Sequence, residues 1–563
     1  MKYVCFFILC VISVNCRVAV DEHEDEVSNS IVEDIKPVTT ERIVVNPTER
    51  TDSSDNLINV INVSVPNKTL DVPEVKTPCI TTKELLDNLV KANFNVSAVS
   101  VNNICRSEPK EPQVRAENGT ALLLTKYIKD GKTKEARTAS IVDRSLFLGI
   151  ESYSGFFTVN ETYNSNIFFW YFPVMNKPVN ESPWIIWLQG GPGASSLTGL
   201  FDEIGPFTYA NNSLKPNPYT WLQNHSLLFI DNPVGTGYSF TEHADGYVTD
   251  MATYSSHLYI TLKQFLQVFP ELKTVPLYLA GESYAGKYVP AMAMEIHKRR
   301  ESKEEVGINL QGLMIGNAYV DPDMISHLVW PFYYFGLLSK EQFELVKPLV
   351  DSFHNDIKAN RSVEAKNKWN SLITVLLYLT NQRHAYNFLR DDLSVGRYIS
   401  FLKTTEVKKA IHVGDINFGF VNMTVNSKLA PDFLSTTKPM FERLLDHYRV
   451  LAYCGQLDQM LPCVFTSENY RTWKWNGTDE FLRATRYPYY YRNRLSGYHK
   501  TGGRFTEVVL RGAGHMVPLD APAPTQNLIT SWTHEKPLSM RHRFLDTTFV
   551  QEFVKNNSLT YYL

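Results

Sequence analysis

The most constraining stretch of this 563-residue chain is Gly281-Glu282-Ser283-Tyr284-Ala285-Gly286. It follows the apolar run Val-Pro-Leu-Tyr-Leu-Ala at 275–280 and precedes a helical stretch over 287–297. A serine on a sharp strand-to-helix turn has its hydroxyl pushed clear of the sheet, as a nucleophile requires. Small neighbours permit such a turn. The usual pattern is Gly-x-Ser-x-Gly, and Ala285 in place of the last glycine is still small. Six such residues arise by chance in many chains, so the flanking strand and helix give the motif its weight.

A nucleophilic serine needs a base, and the base needs an orienting acid. On a strand–turn–helix scaffold the partners follow in the order Ser, Asp/Glu, His, each on a loop after a strand. Asp458 ends Tyr453-Cys-Gly-Gln-Leu-Asp458, just past the expected strand 450–453, and His515 follows the apolar run at 508–510. A lone Asp in a turn is more often a cap, and a lone His more often a surface or core residue. Order and placement together favour a triad. A third element is Trp184-Ile-Ile-Trp-Leu-Gln-Gly-Gly-Pro-Gly193, a strand running into a glycine-rich turn whose N–H groups can face a developing oxyanion. A phosphate loop is the rival, but no Lys-Ser/Thr follows Gly193.

The rest of the chain supplies the setting. Short apolar runs at 184–188, 227–230, 275–280, 312–315 and 450–453 read as buried strands. Their alternation with helical segments predicts an α/β fold with a mostly parallel sheet covered on both faces. From about 325 to 440 helix formers dominate (339–353, 362–378), as in an inserted helical cap. Met1-Lys2 and the apolar run 3–14 have the order of a secretory signal, with cleavage placed near Cys16; a buried first helix is the alternative. That run is too short for a membrane anchor. The acidic, aperiodic stretch 17–75 reads as a disordered or pro-like arm ahead of a catalytic domain over 76–540, and 541–563 as an extension without an assigned role. Basic and acidic residues number 56 and 59, which argues against a nucleic-acid binder. Outside the signal lie Cys79, Cys105, Cys454 and Cys463, with the local pairs Cys79–Cys105 and Cys454–Cys463 expected; no CxxC or close His supports metal ligation instead. Asn-x-Ser/Thr sequons recur at Asn62, Asn67, Asn95, Asn118, Asn160, Asn180, Asn211, Asn224, Asn360, Asn422, Asn476 and Asn556, consistent with a glycosylated chain of the secretory pathway, secreted or lysosomal and vesicular.

At this point the residues resemble a family, the serine carboxypeptidases of the α/β-hydrolase fold, over roughly 120–535. The resemblance rests on Trp187-Leu-Gln-Gly-Gly-Pro-Gly-Ala-Ser-Ser-Leu-Thr-Gly199, Asp231-Asn-Pro-Val-Gly-Thr-Gly-Tyr-Ser239, Gly281-Glu-Ser-Tyr-Ala-Gly-Lys-Tyr-Val-Pro290, Gly316-Asn-Ala-Tyr-Val-Asp-Pro322 and Gly514-His-Met-Val-Pro518. Gln189 and the Gly455-Gln-Leu-Asp458 turn look most like the vitellogenic-like carboxypeptidase branch. The resemblance implies a triad of Ser283, Asp458 and His515 and an oxyanion hole from the amides of Gly191 and Tyr284. It also implies a clamp for the substrate's terminal carboxylate from Glu203 and Glu282, with Gln189 where the family usually has asparagine.

Two carboxyls near a substrate carboxylate repel it unless a proton is shared, so the pair should have raised pKa values and favour acidic pH. For Glu203 the plainer alternative is a helix-surface acid. The family's cysteine after the glycine turn is Ala194 here, and no cysteine lies between Cys105 and Cys454 to bridge into the cap, which leaves packing alone to hold it. The expected activity is removal of C-terminal residues from peptides or proteins through an acyl-enzyme, with no metal or organic cofactor. A homodimer is left open. An acyltransferase or esterase with the same triad, and a storage or protective binding protein without turnover, are the alternatives.

Overall fold

The computed structural model describes residues 119–304 and 307–538. The expected signal, the acidic arm, the Cys79–Cys105 pair, the tail and the sequons at Asn62, Asn67, Asn95, Asn118 and Asn556 lie outside them. A ten-stranded sheet organises the described chain: β1 (Tyr153–Asn160), β2 (Ser165–Phe172), β3 (Trp184–Leu188), β6 (Ser226–Ile230), β7 (Leu277–Glu282), β8 (Leu310–Gly316), β9 (Arg449–Gly455), β10 (Arg486–Tyr491), β11 (Arg494–Gly502) and β12 (Phe505–Leu510). A separate hairpin joins β4 (Phe207–Ala210) to β5 (Ser213–Pro216). The order across the large sheet is β1-β2-β6-β3-β7-β8-β9-β12-β11-β10. The six strands from β6 to β12 run parallel, and antiparallel pairs close both edges.

Alternation along β2 explains how both faces are covered. Phe169 and Tyr171 meet Phe265 of helix α1 (Met251–Val268), while Trp170 turns the other way onto Phe147. At β7, Tyr278 packs on Trp532 of the last described helix and donates its hydroxyl to the Thr533 carbonyl. Every residue of β2, β3, β6 and β7 is buried, so these strands carry no polar alternation. The strand expected over 275–280 lies two residues further on, because Pro276 has no N–H to give the ladder while pairing continues to Glu282 opposite Gly316.

Helix α2 (Ala285–Glu301) springs from the end of β7. Between β8 and β9 the described chain is helical, including the hairpin of α3 (Lys340–Lys358) and α4 (Ser362–Leu379). Ser339 begins α3 with a capping box, accepting from the Gln342 N–H while the Gln342 side chain accepts from its own. Asp356, 1% exposed, holds α3 to α4 through Arg361 and through Lys368 at 2.5 Å.

This helical region is held by more than packing. The backbone at Ala194 bridges to Val421, Ser195 N–H donates to Phe420, and Asn422 N–H donates to Gly193 at 2.9 Å. Main-chain hydrogen bonds therefore stand where a cysteine bridge was missed in the sequence. On the other side, the buried Lys287 ammonium donates to the carbonyls of Asp432 and Phe433 and to the Ser435 hydroxyl. Removing Asp356 alone should strand a largely buried Lys368, so Asp356→Ala is expected to cost about 3 kcal/mol in urea denaturation. A cost below about 1 kcal/mol would show that the pair is solvent-screened.

Candidate active site

Five parallel strands end on one edge of the sheet, and each delivers a residue singled out above or its partner. Beyond β3 come Gln189 and the glycine turn; at the end of β7, Glu282 and Ser283; beyond β8, Asn317; beyond β9, Asp458; beyond β12, His515. Ligand sites of open parallel sheets form at this edge, where strand ends and loops converge.

Ser283 sits between β7 and α2 with φ +60°. A non-glycine residue in that left-handed conformation costs on the order of 1–3 kcal/mol and persists only where its surroundings enforce it. Here the Ser283 N–H donates to the Gly316 carbonyl at 3.0 Å, while its own carbonyl accepts from Gly286 and Tyr319. The neighbouring turn presses on it. A Cβ at Gly190 would stand 2.5 Å from the Tyr284 nitrogen and 2.8 Å from the Ser283 Cβ, so only glycine fits. The amides of Gly191 and Tyr284 flank this contact, and among the described residues neither donates a hydrogen bond.

The acid and the base meet. His515 Nδ1 lies 2.8 Å from Asp458 Oδ2, with both residues buried. Asp458 Oδ2 also accepts from the Asn317 amide at 2.6 Å, and its Oδ1 from the Met460 N–H at 2.8 Å. Burial by itself lowers the His515 pKa. The Asp458 carboxylate, by charge and hydrogen bond, and then the charge of Glu282, carry it above the ordinary imidazole value. Cys454 and Cys463 form the second expected disulfide and bracket the loop that carries Asp458. Among the described residues the Ser283 hydroxyl makes no hydrogen bond to His515.

Glu203, Glu282 and Gln189 form a second buried group beside the serine. The Gln189 amide donates to Glu282 Oε1 at 2.7 Å, and its oxygen accepts from Trp187 Nε1. Among the described residues, no separate donor reaches either oxygen of Glu203 or Oε2 of Glu282, which are buried and act on each other. Glu203 is not a surface acid. It ends the widened turn Gly199–Glu203, where Ile204 N–H reaches back to Gly199, and it is 3% exposed. Burial, then the charge of Glu282, hold its carboxyl well above the ordinary range. Burial pushes Glu282 up to about 7, against the opposing pull of His515, Glu203 and Gln189.

Two residues went unnoticed in sequence as site components, although both lie in motifs quoted above. Asn317 holds Asp458 and also accepts the Gly455 N–H. Asp231 accepts from the Ser195 hydroxyl and the Ser196 and Tyr238 amides, fixing the base of the glycine turn. Their signal was the motif alone, since Asp458, Ser195 and Ser196 lie far off in sequence. Among the described residues no group of three His, Cys, Asp or Glu is placed to hold a metal.

Two outcomes follow from these charges. Asn317→Ala should lower kcat by about tenfold to a hundredfold by loosening Asp458 and, through it, the imidazole, read in steady-state kinetics with the melting temperature as control. The folded chain also keeps a proton on Glu282 that the unfolded chain releases between pH 4.5 and about 7. The native state then binds more protons, so stability falls as pH rises through that window. Melting curves should show the decline in the native chain and a flatter profile in Glu282→Gln, which removes the titrating carboxyl; a rise with pH would contradict it.

Comparison with known proteins gives one answer. A family model described as serine carboxypeptidase matches residues 144–535. The venom serine carboxypeptidase of Apis mellifera is 40% identical over 432 residues, 74% of this chain and 92% of that protein. The vitellogenic carboxypeptidase of Aedes aegypti is 39% identical over 445 residues, 77% of this chain and 93% of its own. The crystal structure of Kex1(delta)p, a prohormone-processing carboxypeptidase from Saccharomyces cerevisiae, superposes with a TM-score of 0.65 at 24% identity, covering 72% of this chain and 98% of that one, a likeness of fold. With its large mostly parallel sheet flanked by helices, this chain has the α/β-hydrolase fold and belongs to the serine carboxypeptidase family.

Proposed function

We propose that Ser283 attacks the carbonyl of a peptide's last amide bond, in a site that accepts only chains ending in a free carboxylate. His515 takes the hydroxyl proton as the Ser283 Oγ–carbon bond forms, then passes it to the departing amino group. Asp458 holds the imidazole with its Nδ1 proton inward and steadies the imidazolium. The Gly191 and Tyr284 amides, which donate to no acceptor among the described residues, receive the oxyanion. Collapse expels the terminal amino acid and leaves an acyl-enzyme on Ser283. Water, deprotonated by His515, then releases the shortened peptide and restores the serine.

The observation that carries this reading is the buried pair Glu203 and Glu282 next to the serine, whose oxygens, apart from a proton the two can share, receive among the described residues only the Gln189 amide. Buried polar atoms without partners are costly and rare, and a ligand that completes their hydrogen bonds accounts for them. A protonated pair, with the Gln189 amide, can donate to a terminal carboxylate; an ionised pair repels it. An esterase or acyltransferase has no use for such a group. The signal-like start and the sequons favour work in the secretory pathway, and no described helix is long and apolar enough to cross a membrane.

The test compares an N-blocked dipeptide with its C-terminal amide at acidic and neutral pH, with Ser283→Ala as control. The free acid should be cleaved preferentially, and its KM should climb as pH passes about 7, where Glu282 loses its proton. The amide should lack that climb. Equal cleavage of both would leave the serine chemistry standing and sink the clamp. No cleavage above the Ser283→Ala background by folded protein freed of residues 17–75 would favour a binding protein.

A further inference from the structure

Segment 385–390 of the helical region touches both the Asp458 and the His515 loops. The Ala385 carbonyl accepts from the Gln459 N–H at 3.0 Å, next to Asp458. The Tyr386 carbonyl accepts the His515 N–H at 2.6 Å, and the Tyr386 ring stands edge-on to the imidazole with centroids 5.0 Å apart. A Cβ at Gly514 would come within 2.0 Å of that same carbonyl, so the base loop and the segment are in close backbone contact.

A single carboxylate pins this contact. Asp520, its side chain 4% exposed, accepts at Oδ2 from the Asn387 amide and from the Gly514 N–H, each at 2.8 Å. Its Oδ1 takes the Arg390 guanidinium. One acid thus ties the residue before the base to two residues of the segment, while the segment supplies the acceptor for the base's own amide. The rest of the hydrolase body holds Asp458 through Asn317, Met460 and the disulfide, whereas His515 N–H is given to the helical region.

We propose that segment 385–390, latched to Asp520 by Arg390 and Asn387, positions His515, so that the imidazole is correctly aimed only while this part of the helical region is docked. Arg390, Asn387, Tyr386 and Asp520 are positioning residues, since none needs to touch substrate to act this way. The inference rests on His515 being the base. It accounts for a half-buried ion pair at the His515 loop, where a hydrophobic contact would pin the segment equally well but without a fixed register. It also means that displacement of the helical region and loss of the base are one event.

The test uses the purified full chain, three variants, Arg390→Gln, Arg390→Lys and Asn387→Ala, and Ser283→Ala as control. Each is read by its melting temperature, by kcat and KM on an N-blocked dipeptide, and by the second-order rate of organophosphonate labelling. Labelling needs the serine and its base but no peptide carboxylate, so it isolates the aim of His515 from the clamp. Arg390→Gln should lower kcat and the labelling rate together by about tenfold or more, since small misplacements of catalytic groups have effects of that size. KM should stay within about twofold, and Arg390→Lys, which keeps a cation, should recover most of the loss. Should Arg390→Gln fail to fold, Asn387→Ala retains the ion pair and should still slow labelling about threefold or more.

Labelling at the wild-type rate in folded Arg390→Gln or Asn387→Ala overturns the latch. So does a rise in KM with kcat unchanged, which would make the segment a substrate contact. Labelling that survives Ser283→Ala counts instead against the nucleophile reading, and the two failures are told apart.

Discussion

The site depends on one crowded contact, the glycine turn at 190–193 laid against the serine turn at 282–284. Because Gly190 has no side chain, the Tyr284 amide, the Ser283 side chain and the amide of Gly191 can share a few ångströms. That closeness is enforced from both sides. Ser283 is held in a strained conformation by Gly316, Gly286 and Tyr319, and the glycine turn is nailed down by Asp231 through Ser195 and Ser196. Strain at the serine is thus sustained by ordinary hydrogen bonds spread over three strands.

Charge is placed around this contact in two groups with opposite tendencies. Asp458 is buried but supplied with hydrogen bonds from Asn317, Met460 and His515. Glu203 and Glu282 are buried with almost no donors, which suits a shared proton. Burial is similar in the two groups, and they differ in hydrogen-bond supply. Glu282 links them, since its charge is felt by His515 on one side and by Glu203 on the other. Proton uptake by the pair and the basicity of the imidazole are therefore not independent.

The helical region is joined to the sheet by backbone pairing at 420–422, by Lys287 in the floor beneath 432–435, and by the Asp520 latch at 385–390. Each joint reaches a different part of the site: the glycine turn, the helix behind the serine, and the base. A disulfide would have fixed one of these joints covalently; hydrogen bonds fix all three and can be broken singly.

Much of this was legible in the chain itself. Strand β3 was read at its observed bounds, and the elbow, the order of Ser283, Asp458 and His515 and one disulfide could be named from local pattern, because a tight turn needs small residues and a buried strand needs apolar ones. The antiparallel edges β1–β2 and β10–β11 were not expected. β2 is buried on both faces and shows no alternation, while β10 and β11 mix polar and aromatic residues at an exposed edge. What only the tertiary structure decided are the relations between distant residues: Asn317 on Asp458, Asp231 beneath the glycine turn, Glu203 turned inward by a widened turn, and Tyr386 against His515. Local sequence fixes conformation over a few residues, but these partners lie from about 35 to more than 140 residues apart, and only the sheet's order of strands brings them within hydrogen-bonding distance.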